Sequence, residues 1–158
     1  MYKFFSLLFV FLFTTLNAFG NEHFSAVGTS TNFRIIAEVD NILPLVQDIS
    51  SNQNYFQING SKITVLFPGK YLVSYKASFK NVGNSEHCLV LKLHVNGAAL
   101  SSSSLTIGPN NYSGAAGFKI LDLELNDELW ITGFRKSGPA IDCISGPGTS
   151  NISLIKLD

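Results

Sequence analysis

The stretch ITVLFPGKYLVSYKASFK, Ile63 to Lys80, decides the fold. Two alternating runs meet at Pro68-Gly69. In the second run Tyr71, Val73, Tyr75, Ala77 and Phe79 share one face. Ser74, Lys76, Ser78 and Lys80 share the other, with Leu72 the one apolar exception. A strict period of two means a strand with one buried and one wet face. Val73 and Phe79 therefore point inward, and Lys76 outward into water. Pro68 cannot donate to a ladder and Gly69 takes any backbone angle, so the pair marks a strand start.

Outward from this strand the same grammar repeats. Phe24–Val27 and Phe33–Val39 read as short strands, and 41–51, with Pro44 and a polar end, reads as a loop. Tyr55–Ile58 and Lys62–Phe67 flank Asn59-Gly60, a pair that tolerates the positive backbone angles of a tight hairpin. Cys88–Val95 alternates, with Leu89, Leu91, Leu93 and Val95 inward and Cys88, Val90, Lys92 and His94 on the other face. Asn96-Gly97 marks a second hairpin, leading into the serine-rich run Ala98–Ile107. Phe118–Leu125 places Leu121, Leu123 and Leu125 inward. Glu128–Phe134 carries Trp130. Ala140–Ile144 lies between Gly-Pro turns, and Ile152–Leu157 closes the chain. No helical period of useful length occurs. Eight to ten short strands with frequent turn signals predict an all-β sandwich or barrel.

Met1–Gly20 has the form of a secretory signal peptide. Lys3 supplies its positive charge, and Phe4–Leu16 is an apolar core too short for a bilayer, which needs roughly 20 residues. Ala18-Phe19-Gly20 fits the small-x-small cleavage rule. Residues 1–20 are thus read as leader and 21–158 as one domain, with cleavage before Asn21 and no membrane insertion after it. An uncleaved anchor is the alternative. The 158 residues carry a formal net charge of zero, and only 14% are charged. That balance argues against a nucleic-acid binder, which needs a basic face to neutralise phosphates.

Cys88 and Cys143 are the only cysteines. In an oxidising compartment an even count favours a disulfide. It would close a loop of roughly 55 residues, for about 4 kcal/mol in the loop-entropy model. Two separate buried thiols are the alternative. Two isolated cysteines lack zinc-site spacing. His87 neighbours Cys88, but adjacent strand residues point to opposite faces, which disfavours a Cys-His nucleophile. No nucleophile elbow, metalloprotease helix or phosphate loop is present. Gly114-Ala115-Ala116-Gly117 precedes a strand, not a helix, and reads as a place of close packing. Asp122, Glu124, Asp127, Glu128 and Asp142 match no dedicated calcium loop. No catalytic, cofactor or metal residue is assigned. Asn59-Gly60-Ser61, Asn111-Tyr112-Ser113 and Asn151-Ile152-Ser153 match the N-glycosylation pattern.

Three ordered stretches together resemble the tumour necrosis factor and complement globular-head superfamily. They are Pro68-Gly69-Lys70-Tyr71-Leu72-Val73-Ser74-Tyr75, Leu123-Glu124-Leu125-Asn126-Asp127-Glu128-Leu129-Trp130, and Ile152-Ser153-Leu154-Ile155-Lys156-Leu157. Tyr55–Tyr75 is also similar to the C-terminal domains of collagen-like bacterial surface proteins. The resemblance implies a ten-stranded antiparallel jelly-roll sandwich that acts by binding as a homotrimer. Asn126 stands where the family prefers Gly, and Asn tolerates a left-handed turn. No Gly-X-Y stalk accompanies the domain. The segment from Tyr112 to Phe118 resembles one whose aromatic packs near the threefold axis, which makes Tyr112 the trimer-interface candidate; a loop role is the alternative. The expected function is a secreted or cell-surface, non-enzymatic module recognising a protein or glycan. A structural coat component and an enzyme on a β-sandwich are the alternatives.

Overall fold

The computed structural model describes residues 23–29, 33–48, 53–135, 141–144 and 150–157, with 141–144 described in the backbone alone. The leader at 1–20, the mature start at Asn21 and the two Gly-Pro turns lie outside the described residues.

Among the described residues thirteen strands form two antiparallel sheets, and there is no helix. They are β1 (His23–Gly28), β2 (Phe33–Ile35), β3 (Asn41–Ile42), β4 (Leu45–Gln47), β5 (Phe56–Asn59), β6 (Lys62–Val65), β7 (Gly69–Asn81), β8 (His87–Val95), β9 (Ala98–Ile107), β10 (Tyr112–Leu123), β11 (Glu128–Arg135), β12 (Ile141–Ile144) and β13 (Asn151–Lys156). The first sheet runs β2-β12-β7-β13-β1-β4, and β10 pairs with β7. The second runs β5-β6-β11-β8-β9, and β3 pairs with β11. The central strand is β7. One edge of it carries β10 along its whole length; the other is shared by β13 and β12. The long alternation that marks it in sequence is what lets it hold three neighbours.

Three features depart from the sequence reading. The run Phe33–Val39 stops as a strand after Ile35, because the buried Asn41 side chain captures the Ile36 backbone. Asn41 Oδ1 accepts from Ile36 N at 3.0 Å, and Asn41 Nδ2 donates to Ile36 O at 2.9 Å. Glu38 then turns through a φ of 63°. The expected loop at 41–51 contains the short strands β3 and β4, separated at Pro44, which has no N–H to give a ladder. These interruptions raise the strand count above ten. Leu125, expected inside, lies in the turn beyond β10 and is exposed.

The hairpins follow their turn chemistry. Asn96 and Gly97 take φ of 50° and 89°, as a two-residue loop with both angles positive requires. In the β5–β6 hairpin Asn59 pairs with Lys62, so the loop is Gly60-Ser61, with Gly60 at φ 60°. Asn126 takes φ of 70°, filling the left-handed turn before β11.

The inward faces meet in one core. Tyr71, Val73, Tyr75, Ala77 and Phe79 from β7 face Leu89, Leu91 and Leu93 from β8 and Leu129 and Ile131 from β11. Phe56 packs edge-on to Tyr71 at 5.1 Å and tilted to Phe24 at 5.2 Å. Tyr71 keeps its hydroxyl satisfied by donating to Phe67 O at 2.8 Å.

Candidate assembly face

The outer face of the first sheet is the surface that composition does not account for. Residues paired in register across an antiparallel ladder share a face. Ile120 pairs with Leu72, and Leu72 with Ile155. An apolar row therefore crosses three strands. The next row is Phe118, Ser74 and Ser153; the one after is Ala116, Lys76 and Asn151. Phe118 is 75% exposed and Ile120 58%, and Ile155 is exposed beside them. Among the described residues Phe118 is the most exposed large apolar side chain, and it stands on the outer face halfway along β10.

Three local features hold this face in shape. Gly117 pairs with Tyr75, and a Cβ on Gly117 would lie 2.5 Å from the Tyr75 hydroxyl and 2.6 Å from its Cζ. The buried Tyr75 ring thus passes directly beneath β10. Its hydroxyl donates to Ser101 Oγ on β9 at 2.9 Å, tying the first sheet to the edge of the second. Lys119 Nζ makes a second tie, donating to Leu100 O at 2.7 Å. Within Gly114-Ala115-Ala116-Gly117 the tight approach is at Gly117, and its close neighbour is the chain's own Tyr75. Around the small Ala116 the outer surface has an open depression of about 280 Å³ lined by Ser74, Lys76, Ala116, Gly117, Phe118 and Asn151.

Tyr112, the residue expected at the axis, begins β10 opposite Lys80. It is 61% exposed, and Lys80 Nζ sits 5.3 Å from its ring centroid. It shares the outward side with Phe118 and Ile120 but marks the margin of the face, not its middle. Sequence reasoning passed over Phe118, Ile120 and Ile155. The signal was present: in the register of β10, Phe118 and Ile120 fall with Tyr112 on the side opposite Leu121 and Leu123.

The outer face of the second sheet is built differently. Trp130 and His94 stack at 5.5 Å with planes 6° apart, and Lys62 Nζ lies 4.5 Å from the Trp130 centroid. His94 Nε2 meets Thr132 Oγ1 at 2.9 Å. Lys92 pairs with Asp40 at 2.7 Å and covers Phe134 at 4.4 Å. These contacts bury His94, which alternation assigns to the wetter side. This face is closed by its own side chains.

The other candidates are dispersed. Cys88 is exposed and free at the start of β8. Cys143 belongs to the first sheet, where its backbone pairs with Phe79 and Phe33; its side chain lies outside the described residues. The structure gives the expected disulfide no support. Cys88 lies on the solvent side of its sheet. His87 bonds Ser85 Oγ at 3.0 Å, not Cys88. Asp122 pairs with Lys70 and Glu128 with Lys62, while Asp127 accepts from Asn96 and from Glu124 N. Among the described residues no three His, Cys, Asp or Glu side chains converge as metal ligands would. Of the three sequon asparagines, Asn59 ends β5, Asn111 precedes β10, and Asn151 lies within the assembly face.

No protein-family model matches the chain, and no curated protein matches it. Solved structures do. The chain superposes on Eiger, a tumour necrosis factor of S. frugiperda, with a TM-score of 0.69 at 15% identity, covering 86% of this chain and 92% of that one. Murine APRIL gives 0.63 at 14% identity over 85% and 98% of the two chains. The globular domain of zebrafish complement 1qA protein gives 0.58 at 18% identity over 87% and 98%. The all-β topology, the strand order and these likenesses together identify the fold: this chain is a jelly roll of the tumour necrosis factor and complement globular-head type.

Proposed function

We propose that the mature chain is a secreted, non-enzymatic recognition module that assembles as a homotrimer through the outer face of its first sheet. It binds a protein or glycan through loops or through grooves between copies. One observation carries the reading: the apolar patch of exposed Phe118, Ile120 and Ile155 around the half-buried Leu72 on the outer face of the first sheet. Fully burying one such side chain is worth about 1.5–3 kcal/mol. Association costs about 4–15 kcal/mol in lost freedom. One residue cannot meet that cost, but a row of four repeated in each copy does. The neighbours' fold supports the choice of a trimer over other assemblies. Three copies convert weak single contacts into avidity for a ligand displayed in multiple copies. The leader-like Met1–Gly20 supports export, with processing before Asn21.

Light scattering on the mature protein should give three times the monomer mass. Phe118→Asp should yield a folded monomer, because three unpartnered carboxylates cannot share a dry interface. Tyr112→Asp, at the margin, should weaken assembly less. A wild-type monomer at micromolar concentration refutes the reading. N-terminal sequencing of the exported protein tests processing: Asn21 is expected, and an intact Met1 contradicts secretion.

A further inference from the structure

Lys76 stands out among the basic residues. Lys62, Lys70 and Lys92 have carboxylates; Lys80 and Lys156 sit over rings; Lys119 donates to a carbonyl. Arg135 donates to Ile35 O, and Arg34 also has a partner. Among the described residues Lys76 is the one cation with neither an ion pair, a hydrogen bond nor an aromatic ring. It lies between Ala116 and Asn151 on the assembly face. In the isolated chain it is exposed and water solvates it. Once the face is covered, that solvation is lost and an uncompensated ammonium becomes costly.

The depression beside it has two halves. Phe118, Ala116 and Gly117 form an apolar wall; Lys76, Asn151 and Ser74 form a polar end. Its volume of about 280 Å³ lies just below the usual small-molecule range, about 300–1,000 Å³, which suits a small ligand. We propose that this depression binds a small carboxylate with an apolar body, the carboxylate on Lys76 and Asn151 and the body against Phe118. Assembly encloses it, so the ligand acts as the counter-charge that the covered face lacks. The proposal rests on the assembly reading and names a ligand class for that same face.

The test uses the mature protein and octanoate as probe. Octanol supplies the body without the charge, and inorganic phosphate the charge without the body. Millimolar octanoate should lower the protein concentration at which the trimer dissociates by about tenfold, equivalent to one decade of affinity. Octanol and phosphate should each do much less. Lys76→Met, which keeps the stem and removes the charge, should retain the wild-type circular dichroism and lose the octanoate response. A trimer indifferent to octanoate, or a Lys76→Met trimer that responds as wild type does, overturns the ligand proposal and leaves the assembly intact. Phosphate matching octanoate also overturns it, since the apolar wall would then contribute nothing. A protein monomeric with and without octanoate overturns the assembly reading, and this proposal with it.

Discussion

Replacing Gly117 by Ala tests how the assembly face is supported. In most exposed strand positions the change would help, since reducing the freedom of the unfolded chain stabilises by about 0.4–1 kcal/mol. Here the added Cβ meets the Tyr75 hydroxyl at 2.5 Å, Cζ at 2.6 Å and Cε1 at 3.0 Å. The ring cannot swing aside freely, because Tyr75 is only 2% exposed and wedged in the core. Overpacking of this kind costs about 1–3 kcal/mol. Moving the ring also breaks the hydroxyl's bond to Ser101, a further loss of about 0.5–1.5 kcal/mol. The terms leave a net destabilisation of about 2 kcal/mol. With a urea m-value of about 1–3 kcal/mol/M, the midpoint should fall by about 1 M, measured at fixed protein concentration so that any assembly contributes equally to both proteins. In a Tyr75→Leu background the same substitution should cost nothing or stabilise slightly. A Gly117→Ala protein as stable as wild type would refute the claim that Tyr75 is fixed beneath β10.

Val73→Asp should be insoluble or unfolded, since it buries an unpaired charge at a position with no exposure and costs several kcal/mol; a soluble protein with native circular dichroism would show the register to be wrong. Asn126→Val should lower the thermal midpoint, because a β-branched residue at φ 70° is strained by about 1–2 kcal/mol, whereas Asn126→Gly should be nearly neutral. Cys88 should react with a thiol reagent in the native protein without prior reduction; a Cys88 that reacts only after reductant would restore the Cys88–Cys143 bond.

The strands that read most clearly in sequence are those with one face in the core and one in water. In β7 and β8 the alternation assigned the core side of Tyr71 to Phe79 and of Leu89 to Val95 correctly. Turn chemistry was equally legible at Asn96-Gly97 and Asn126, where the backbone angle selects the residue. What escaped was set by specific side-chain contacts that alternation does not encode. Asn41 ends β2 through hydrogen bonds to its backbone, and Trp130 buries His94 by stacking on it. The assembly face was half legible. Leu72 appeared only as an exception to a pattern, and its meaning depended on Ile120 and Ile155, which register alone brings beside it. Tyr112 was chosen by local likeness to a segment at the start of a strand, and it begins β10.

The position of β13 between β1 and β7 has a temporal consequence. His23–Val27 finds its ladder on Asn151–Ile155, across almost the whole described chain. A nascent polypeptide lacking those last residues has a slot where β13 belongs, and its first strand has no partner on that side. Loop closure over such a span must precede the contacts that reward it, which makes folding slow. Closure of the first sheet therefore waits until synthesis has passed β13.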